Sequence, residues 1–177
     1  MRGNRISWRE TREQLRQDRD RLIALRPATL FLYPPYLCVL LYRVSHYLQR
    51  RGNIRLARLI WHANQIATGA DIVPSARFGG GLVISRPVGI SLVGVAGKNL
   101  TVMAQAGLGG EIGRLQDVGA GPGLPLLGDD VILEPSSGVL GPVRIGSRVR
   151  LAAGYIATRD IADDFGVAES VRPESRP

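Results

Sequence analysis

The sequence predicts an α+β protein, an N-terminal helical segment followed by a left-handed parallel β-helix of hexapeptide repeats with one ejected loop. Two observations predict it. Large apolar residues recur every six positions at Ile72, Phe78, Ile84, Ile90, Val102 and Leu108, with Ala96 the one small member. The beat returns at Leu127, Leu133, Val139, Ile145 and Leu151. A helix repeats at 3.6 residues and a strand at 2, so neither gives a six-residue period; a parallel β-helix does, with one short strand and one corner per repeat. The second observation is the filler. Gly and small polar residues follow the beat, as in Phe78-Gly79-Gly80-Gly81, Leu127-Gly128-Asp129-Asp130 and Ile145-Gly146-Ser147-Arg148. Corners need residues that tolerate unusual backbone angles. A β-sandwich with Gly-rich turns would alternate with period 2 instead. The phase shifts between Leu108 and Leu127, so residues 109–126, rich in Gly and carrying Glu111 and Asp117, are read as a loop leaving the coil. A long loop thrown out of a regular solenoid is a candidate functional element.

Three regions follow: residues 1–68 helical, 69–159 the β-helix, and 160–177 a polar tail expected to be extended or disordered. Residues 6–25 carry Ile6, Leu15, Leu22 and Leu25 among charges, and Ser7 precedes Glu10 at capping-box spacing. Residues 28–48 are the most apolar stretch. Pro34-Pro35 cuts it, and Arg43 and His46 follow. Two short helices joined at the Pro pair are therefore expected, rather than a membrane span. Residues 50–67 form a further helix with Ile54, Leu56, Leu59, Ile60 and Ile66 as its apolar set.

The net charge of +8 is uneven: residues 1–60 hold 13 Arg against 4 acidic residues, and the remainder is close to neutral. Such a segment can meet an anionic surface or nucleic acid. Its Arg are interleaved with helix formers and few aromatics accompany them, so a solvated helical face with no nucleic-acid partner is the expectation. Cys38 is the single cysteine, so no intrachain disulfide forms, and the composition suits a reducing, cytoplasmic setting. The N-terminus has no apolar core of a signal peptide. His46 and His62 both fall in helices, where a lone His is more often a packing or surface residue than a base.

Tyr33-Pro34, Leu41-Tyr42-Arg43, His46, Gly69-Ala70-Asp71-Ile72, Pro74, Leu108-Gly109-Gly110, Leu127-Gly128-Asp129 and Ile145-Gly146 together resemble the serine O-acetyltransferases, a family of hexapeptide-repeat acyltransferases. The resemblance covers roughly residues 28–160. It implies a homotrimer in which acetyl-CoA binds between neighbouring β-helices. It also implies direct acyl transfer to a serine hydroxyl, with an imidazole as general base and a carboxylate orienting it. Open coil faces carrying Leu82, Val88 and Leu100 are expected to meet in that trimer. Where the family has Asp-His-Ala-Thr-Gly, this chain reads Ser85-Arg86-Pro87-Val88-Gly89. Where it has Arg-His-Pro, the chain reads Gly123-Leu124-Pro125. Arg86 cannot accept a proton, so the His–Asp mechanism is not expected here.

Two functions fit these residues. One is a diverged acyltransferase in specialised biosynthesis, acting from acetyl-CoA or a related thioester on a small amino-acid-like acceptor. Its donor site would use Gly107, Leu108, Gly109, Gly110, Ala153, Gly154 and Arg159, without a metal. Its reaction centre would use Ser85 and Arg86, with Glu111 or Asp117 as the carboxylate. The other is a catalytically inactive trimeric scaffold that binds a metabolite or partner. Arg86 in an open cleft favours the first; Arg86 covered or ion-paired favours the second. An Arg-rich adaptor that meets an anionic surface through residues 1–60 is a third possibility. The family's docking onto cysteine synthase uses a C-terminal Ile, and this chain ends Arg176-Pro177, so that partnership is not expected.

Overall fold

The computed structural model describes residues 7–25, 33–111, 113–165 and 167–168. Three helices come first: α1 (Trp8–Leu25), α2 (Pro34–Arg50) and α3 (Ile54–Thr68). Fourteen short strands follow, three to a coil. The first coil holds β1 (Asp71–Ile72), β2 (Arg77–Phe78) and β3 (Val83–Ile84). The second holds β4 (Ser91–Leu92), β5 (Val95–Ala96) and β6 (Thr101–Val102). The third holds β7 (Gly107–Gly109), β8 (Leu126–Leu127) and β9 (Ile132–Leu133). The fourth holds β10 (Gly138–Leu140), β11 (Arg144–Ile145) and β12 (Arg150–Leu151), and β13 (Ile156–Ala157) and β14 (Val167–Ala168) close the stack.

Strands one coil apart pair in parallel and build three sheets: β1-β4-β7-β10-β13, β2-β5-β8-β11 and β3-β6-β9-β12-β14. The solenoid is three-sided, and its beat residues form inward ladders such as Ile84–Val102–Leu133–Leu151. All of them are buried. The residue two before each beat also points inward, because strand side chains alternate with period 2. Leu82 and Leu100 occupy that position and are 1% exposed, so they fill the core and not an open face; of the trio read as outward-facing, only Val88 is exposed.

One ladder differs from the beat. Ile72 pairs with Leu92, and Leu92 with Leu108. Ile90 is buried, but it holds the inward position two residues ahead of Leu92. The first coil is therefore two residues long and the next two short, and the surplus lies in Ser85–Gly89. A larger break comes later: Ala96 pairs with Leu127, so the chain from Gly110 to Pro125 leaves the coil between β7 and β8. Residues 160–165 and 167–168, read as part of the tail, continue the stack, with Ile161 bridged to Ile145 and β14 paired to β12. Residues 169–177 lie outside the described residues.

The corners explain the filler. Asn99, Gln105, Asp130, Ser136, Arg148 and Asp164 all have φ near +60°, three residues past an inward position. That left-handed geometry is cheap for Asn and Asp and less so for others. Stacked corner side chains then bond one another, as Asn99 Nδ2 donates to Asp130 Oδ1 (2.9 Å) and Arg148 to Asp164 (2.7 Å).

Pro34-Pro35 forms the first turn of α2, where a missing N–H costs nothing; residues 26–32, which would hold the short helix expected before the pair, lie outside the described residues. Ser7 Oγ accepts from the Glu10 amide (3.2 Å), as its spacing suggested. α3 stops at Gly69, whose φ of +76° makes a left-handed C-cap. A Cβ there would lie 3.3 Å from the Val88 Cα, so helix and long corner approach closely.

One face of α2 fastens the helices to the first coil. Tyr42 Oη donates to the Ala76 carbonyl (2.9 Å), and Arg43 donates to the carbonyls of Phe78 (2.6 Å) and Gly79 (2.5 Å). Arg43 also pairs with Asp18 of α1, and both side chains are 1% exposed. Burial pushes the Asp18 carboxyl up, against the downward pull of Arg43 and of the Leu82 and Gly81 amides. Among the described residues no helix is long and apolar enough to cross a membrane.

His46 completes this face. Its Nδ1 lies 2.8 Å from the Pro74 carbonyl, which can only accept, so Nδ1 carries the proton. Burial pushes the His46 pKa below the usual value, with Arg43, Arg50 and Arg77 adding repulsion. Between its lowered folded pKa and the unfolded value near 6.5, the unfolded chain binds more protons. The contribution to stability is thus full above about pH 6.5 and falls as pH drops toward the folded pKa. Thermal melts from pH 7.5 downward are expected to show this loss, and His46→Gln to flatten it; an equal slope in the variant would assign the loss elsewhere.

Candidate active site

The long corner and the helices enclose a cleft of about 850 Å³. The corner supplies Ser85, Arg86, Pro87 and Val88, the start of α2 supplies Tyr33, Pro34 and Pro35, the end of α3 supplies Ala67 and Thr68, and the next corner supplies Ala104 and Gln105. Arg86 is exposed, and no carboxylate stands within ion-pair distance of it among the described residues. The lining is otherwise apolar or uncharged, with hydroxyls from Ser85, Thr68 and Tyr33 and an amide from Gln105. A lone guanidinium in such a cleft suits a carboxylate, which it can hold with two parallel N–H bonds.

Glu111 and Asp117 do not line this cleft within one chain. Both sit in the segment between β7 and β8. Asp117 Oδ1 accepts from the amides of Gly119 (2.7 Å) and Gly121 (2.9 Å), which hold its pKa below the usual carboxylate range. Its carboxylate thus pins the loop's backbone and is a weak base. Glu111 lies 3.4 Å from Arg114, and its amide donates to the Gly123 carbonyl (3.1 Å).

The predicted donor residues separate into two places. Gly107, Leu108 and Gly109 line a groove of about 410 Å³ on the outer face of the β1-β4-β7-β10-β13 sheet, with Ser91, Ser137, Gly138, Leu140 and Ile156. At Gly107, Gly109 and Gly138 the floor is bare backbone: a Cβ on Gly138 would lie 3.0 Å from the Gly107 carbonyl oxygen. Ser137 Oγ is buried with no hydrogen-bond partner among the described residues. Gly110 packs away from the groove, 2.9 Å from Leu124 if given a Cβ. Ala153 and Gly154 form the exposed corner before β13, and Arg159 is exposed beyond it. None of these four lines the groove.

Sequence reasoning missed Tyr33, Thr68 and Gln105 in the cleft and Ser137, Gly138 and Ile156 in the groove. Gly138 had a signal, since it precedes its beat residue as Gly107 does and the two pair directly. The cleft residues had none, because Tyr33 and Thr68 come from helix ends and Gln105 from the next corner, brought together only by the fold. Among the described residues no cluster of three or more His, Cys, Asp or Glu is placed to hold a metal.

A three-sided parallel β-helix behind a helical segment, with a cleft at their junction, defines an α+β solenoid protein. The chain belongs to the serine acetyltransferase family. The serine acetyltransferase of Mycobacterium tuberculosis is 31% identical over 166 residues, 91% of this chain and 70% of that protein. That of Synechococcus elongatus is 30% identical over 140 residues, 78% of this chain and 55% of that protein, so the chain spans little more than half of that relative. The crystal structure of Entamoeba histolytica serine acetyltransferase isoform 3 in complex with cysteine matches with a TM-score of 0.78 and 25% identity, over 94% of this chain and 60% of that one. A serine acetyltransferase in complex with CoA matches with a TM-score of 0.77 and 19% identity, over 91% of this chain and 68% of that one. No protein-family model matches the chain.

Proposed function

We propose that the protein is a diverged acyltransferase that moves an acyl group from acetyl-CoA or a related thioester to a small amino-acid-like acceptor, in specialised biosynthesis. The observation that carries this reading is Arg86, exposed and without an ion-pair partner among the described residues in a cleft of about 850 Å³. Arg86 would hold the acceptor's carboxylate, flanked by Ser85, Thr68 and Gln105. A relative is seen with cysteine and a structural neighbour with CoA, an amino acid and the donor carrier. The groove over Gly107, Gly109 and Gly138 fits an extended amide-bearing chain, because at those three positions its floor is bare backbone.

In this reading the coil winds left-handed and three copies assemble, so that the loop of one copy reaches the Arg86 cleft of the next. The acceptor's nucleophile then bonds to the acyl carbon, the thioester C–S bond breaks, and the acceptor's proton ends on the thiol. A carboxylate must relay that proton in place of an imidazole. Glu111 is better suited than Asp117, which two backbone amides already engage. A cytoplasmic setting suits the buried Cys38, whose thiol is pushed up to about 11 by desolvation and stays protonated.

A specific observation favours the second reading, a scaffold that binds without turnover. Among the described residues no imidazole or carboxylate lines the Arg86 cleft. Calorimetric titration with acetyl-CoA and CoA, followed by a thiol-release assay over amino-acid acceptors, separates the two. Donor binding with thiol release is expected. Binding without release from any acceptor would favour the scaffold, and no donor binding at all would end the acyl-CoA reading.

A further inference from the structure

The outer face of α3 is apolar, exposed and unexplained by either cleft or groove. Ala57, Asn64 and Thr68 point inward against α2 and the first coil. On the opposite side Leu56 is 46% exposed, Leu59 65% and Ile66 87%, and Ile54 at the start of the helix is 51% exposed. Leu56, Leu59, Ala63 and Ile66 recur at intervals of three and four, so they form one stripe along the helix. Ala63 and Ala67 are exposed as well. Arg55, Arg58 and His62, all exposed, border the stripe along one edge. Its far end is Ala67, followed by Thr68, and both line the Arg86 cleft with the exposed Val88.

Charge decides what covers this stripe. No acidic residue occurs from Arg21 to Ala70, so neither α2 nor α3 carries one. No carboxylate lies within ion-pair distance of Arg55 or Arg58 among the described residues. The Arg-rich surface of α1 differs, because Asp20 answers Arg19 (2.8 Å) and lies 3.8 Å from Arg16. Two copies pressed together through α3 would set Arg55 and Arg58 against their own kind with no carboxylate between them. A surface that is apolar inside and anionic outside satisfies both halves of the helix at once. That is the pattern of a helix lying in the interface of an anionic lipid layer.

We infer that α3 is an interfacial helix. It seats the protein on an anionic lipid surface through Leu56, Leu59 and Ile66, with Arg55 and Arg58 on the headgroups, and so sets the mouth of the Arg86 cleft at that surface. The seating does not depend on acyl transfer and stands if the protein turns nothing over. It gives the Arg-rich N-terminal half a partner, and it places the cleft where an acceptor held at a lipid surface can be presented to it.

Co-sedimentation of the full chain with vesicles tests this, using phosphatidylcholine alone and an equal mixture with phosphatidylglycerol. Sedimentation with the anionic vesicles is expected, weakened by salt. Leu59→Ser/Ile66→Ser and Arg55→Glu/Arg58→Glu are each expected to lower the bound fraction at least tenfold while leaving the melting temperature unchanged. These positions are exposed, so both pairs report on the surface and not on the core. Failure to sediment with anionic vesicles overturns the inference, as does full binding by Leu59→Ser/Ile66→Ser. It is also overturned if that pair splits a larger assembly on light scattering, for a second copy then covers the stripe. Capture by an acidic amphipathic peptide in the absence of vesicle binding would assign the face to a protein partner and overturn it too.

Discussion

Asp18→Ala is expected to be the most destabilising single change in the helical region, at about 3–5 kcal/mol. Asp18 takes two bonds from Arg43 (2.8 and 3.0 Å) and one from the Leu82 amide (2.7 Å). Removing it leaves Arg43 buried as an unpaired cation, because the Phe78 and Gly79 carbonyls accept its hydrogens but do not neutralise it. It also orphans the Leu82 amide, one residue before β3. For a chain of this length the loss corresponds to a fall in melting temperature of roughly 6–20 °C. Asp18→Leu/Arg43→Met is expected to recover part of it, since two uncharged side chains leave no buried charge. Recovery is incomplete because the two carbonyls lose their donor. A melting temperature within about 2 °C of the parent for Asp18→Ala would show the pair to be solvated and this account mistaken. β3 runs directly into Ser85 and Arg86, so ligand binding in the cleft is expected to weaken in Asp18→Ala as well.

The same pair shows where the sequence is legible and where it is not. Arg43 stands in an apolar helix, and its motif with Tyr42 and His46 is visible in one dimension. That all three reach carbonyls of the first coil is not visible, because their acceptors are backbone atoms. The six-residue beat exposes the solenoid for a physical reason: an inward residue cannot be replaced by a polar one without an orphan in the core. It hides the cleft for an equally physical reason. One coil is two residues long and the next two short, so the beat returns to phase and Ile90 counts as a regular member although Leu92 carries the ladder. The surplus is the corner that carries Arg86. Counting along the chain passes over it, and only the strand register reveals it. The loop after β7 was legible because its extra residues are not compensated. Pro34-Pro35 opens α2; a proline pair ends one helix and begins another equally well, and sequence alone does not say which.

Arg86→Ala is expected to remove acceptor binding and little else. A guanidinium–carboxylate bond pair is worth about 1.5–3 kcal/mol as a charged hydrogen bond, so affinity for L-cysteine or L-serine as probes should fall roughly 10- to 150-fold. Arg86→Lys keeps the charge but loses the planar fork, and an intermediate loss is expected. CoA affinity should not change, because the groove over Gly107, Gly109 and Gly138 lies on the outer face of a sheet and does not include Arg86. Stability should move by no more than about 0.5 kcal/mol, since Arg86 is exposed and makes no ion pair among the described residues. The contrast with Asp18→Ala is the point of the measurement. If Arg86 serves the corner's structure, its loss lowers the melting temperature and weakens donor and acceptor alike. If it serves the acceptor, only acceptor affinity falls, and titration of the two ligands against one variant tells these apart. Unchanged amino-acid binding in Arg86→Ala would detach the cleft from the acceptor and leave the groove as the site to pursue.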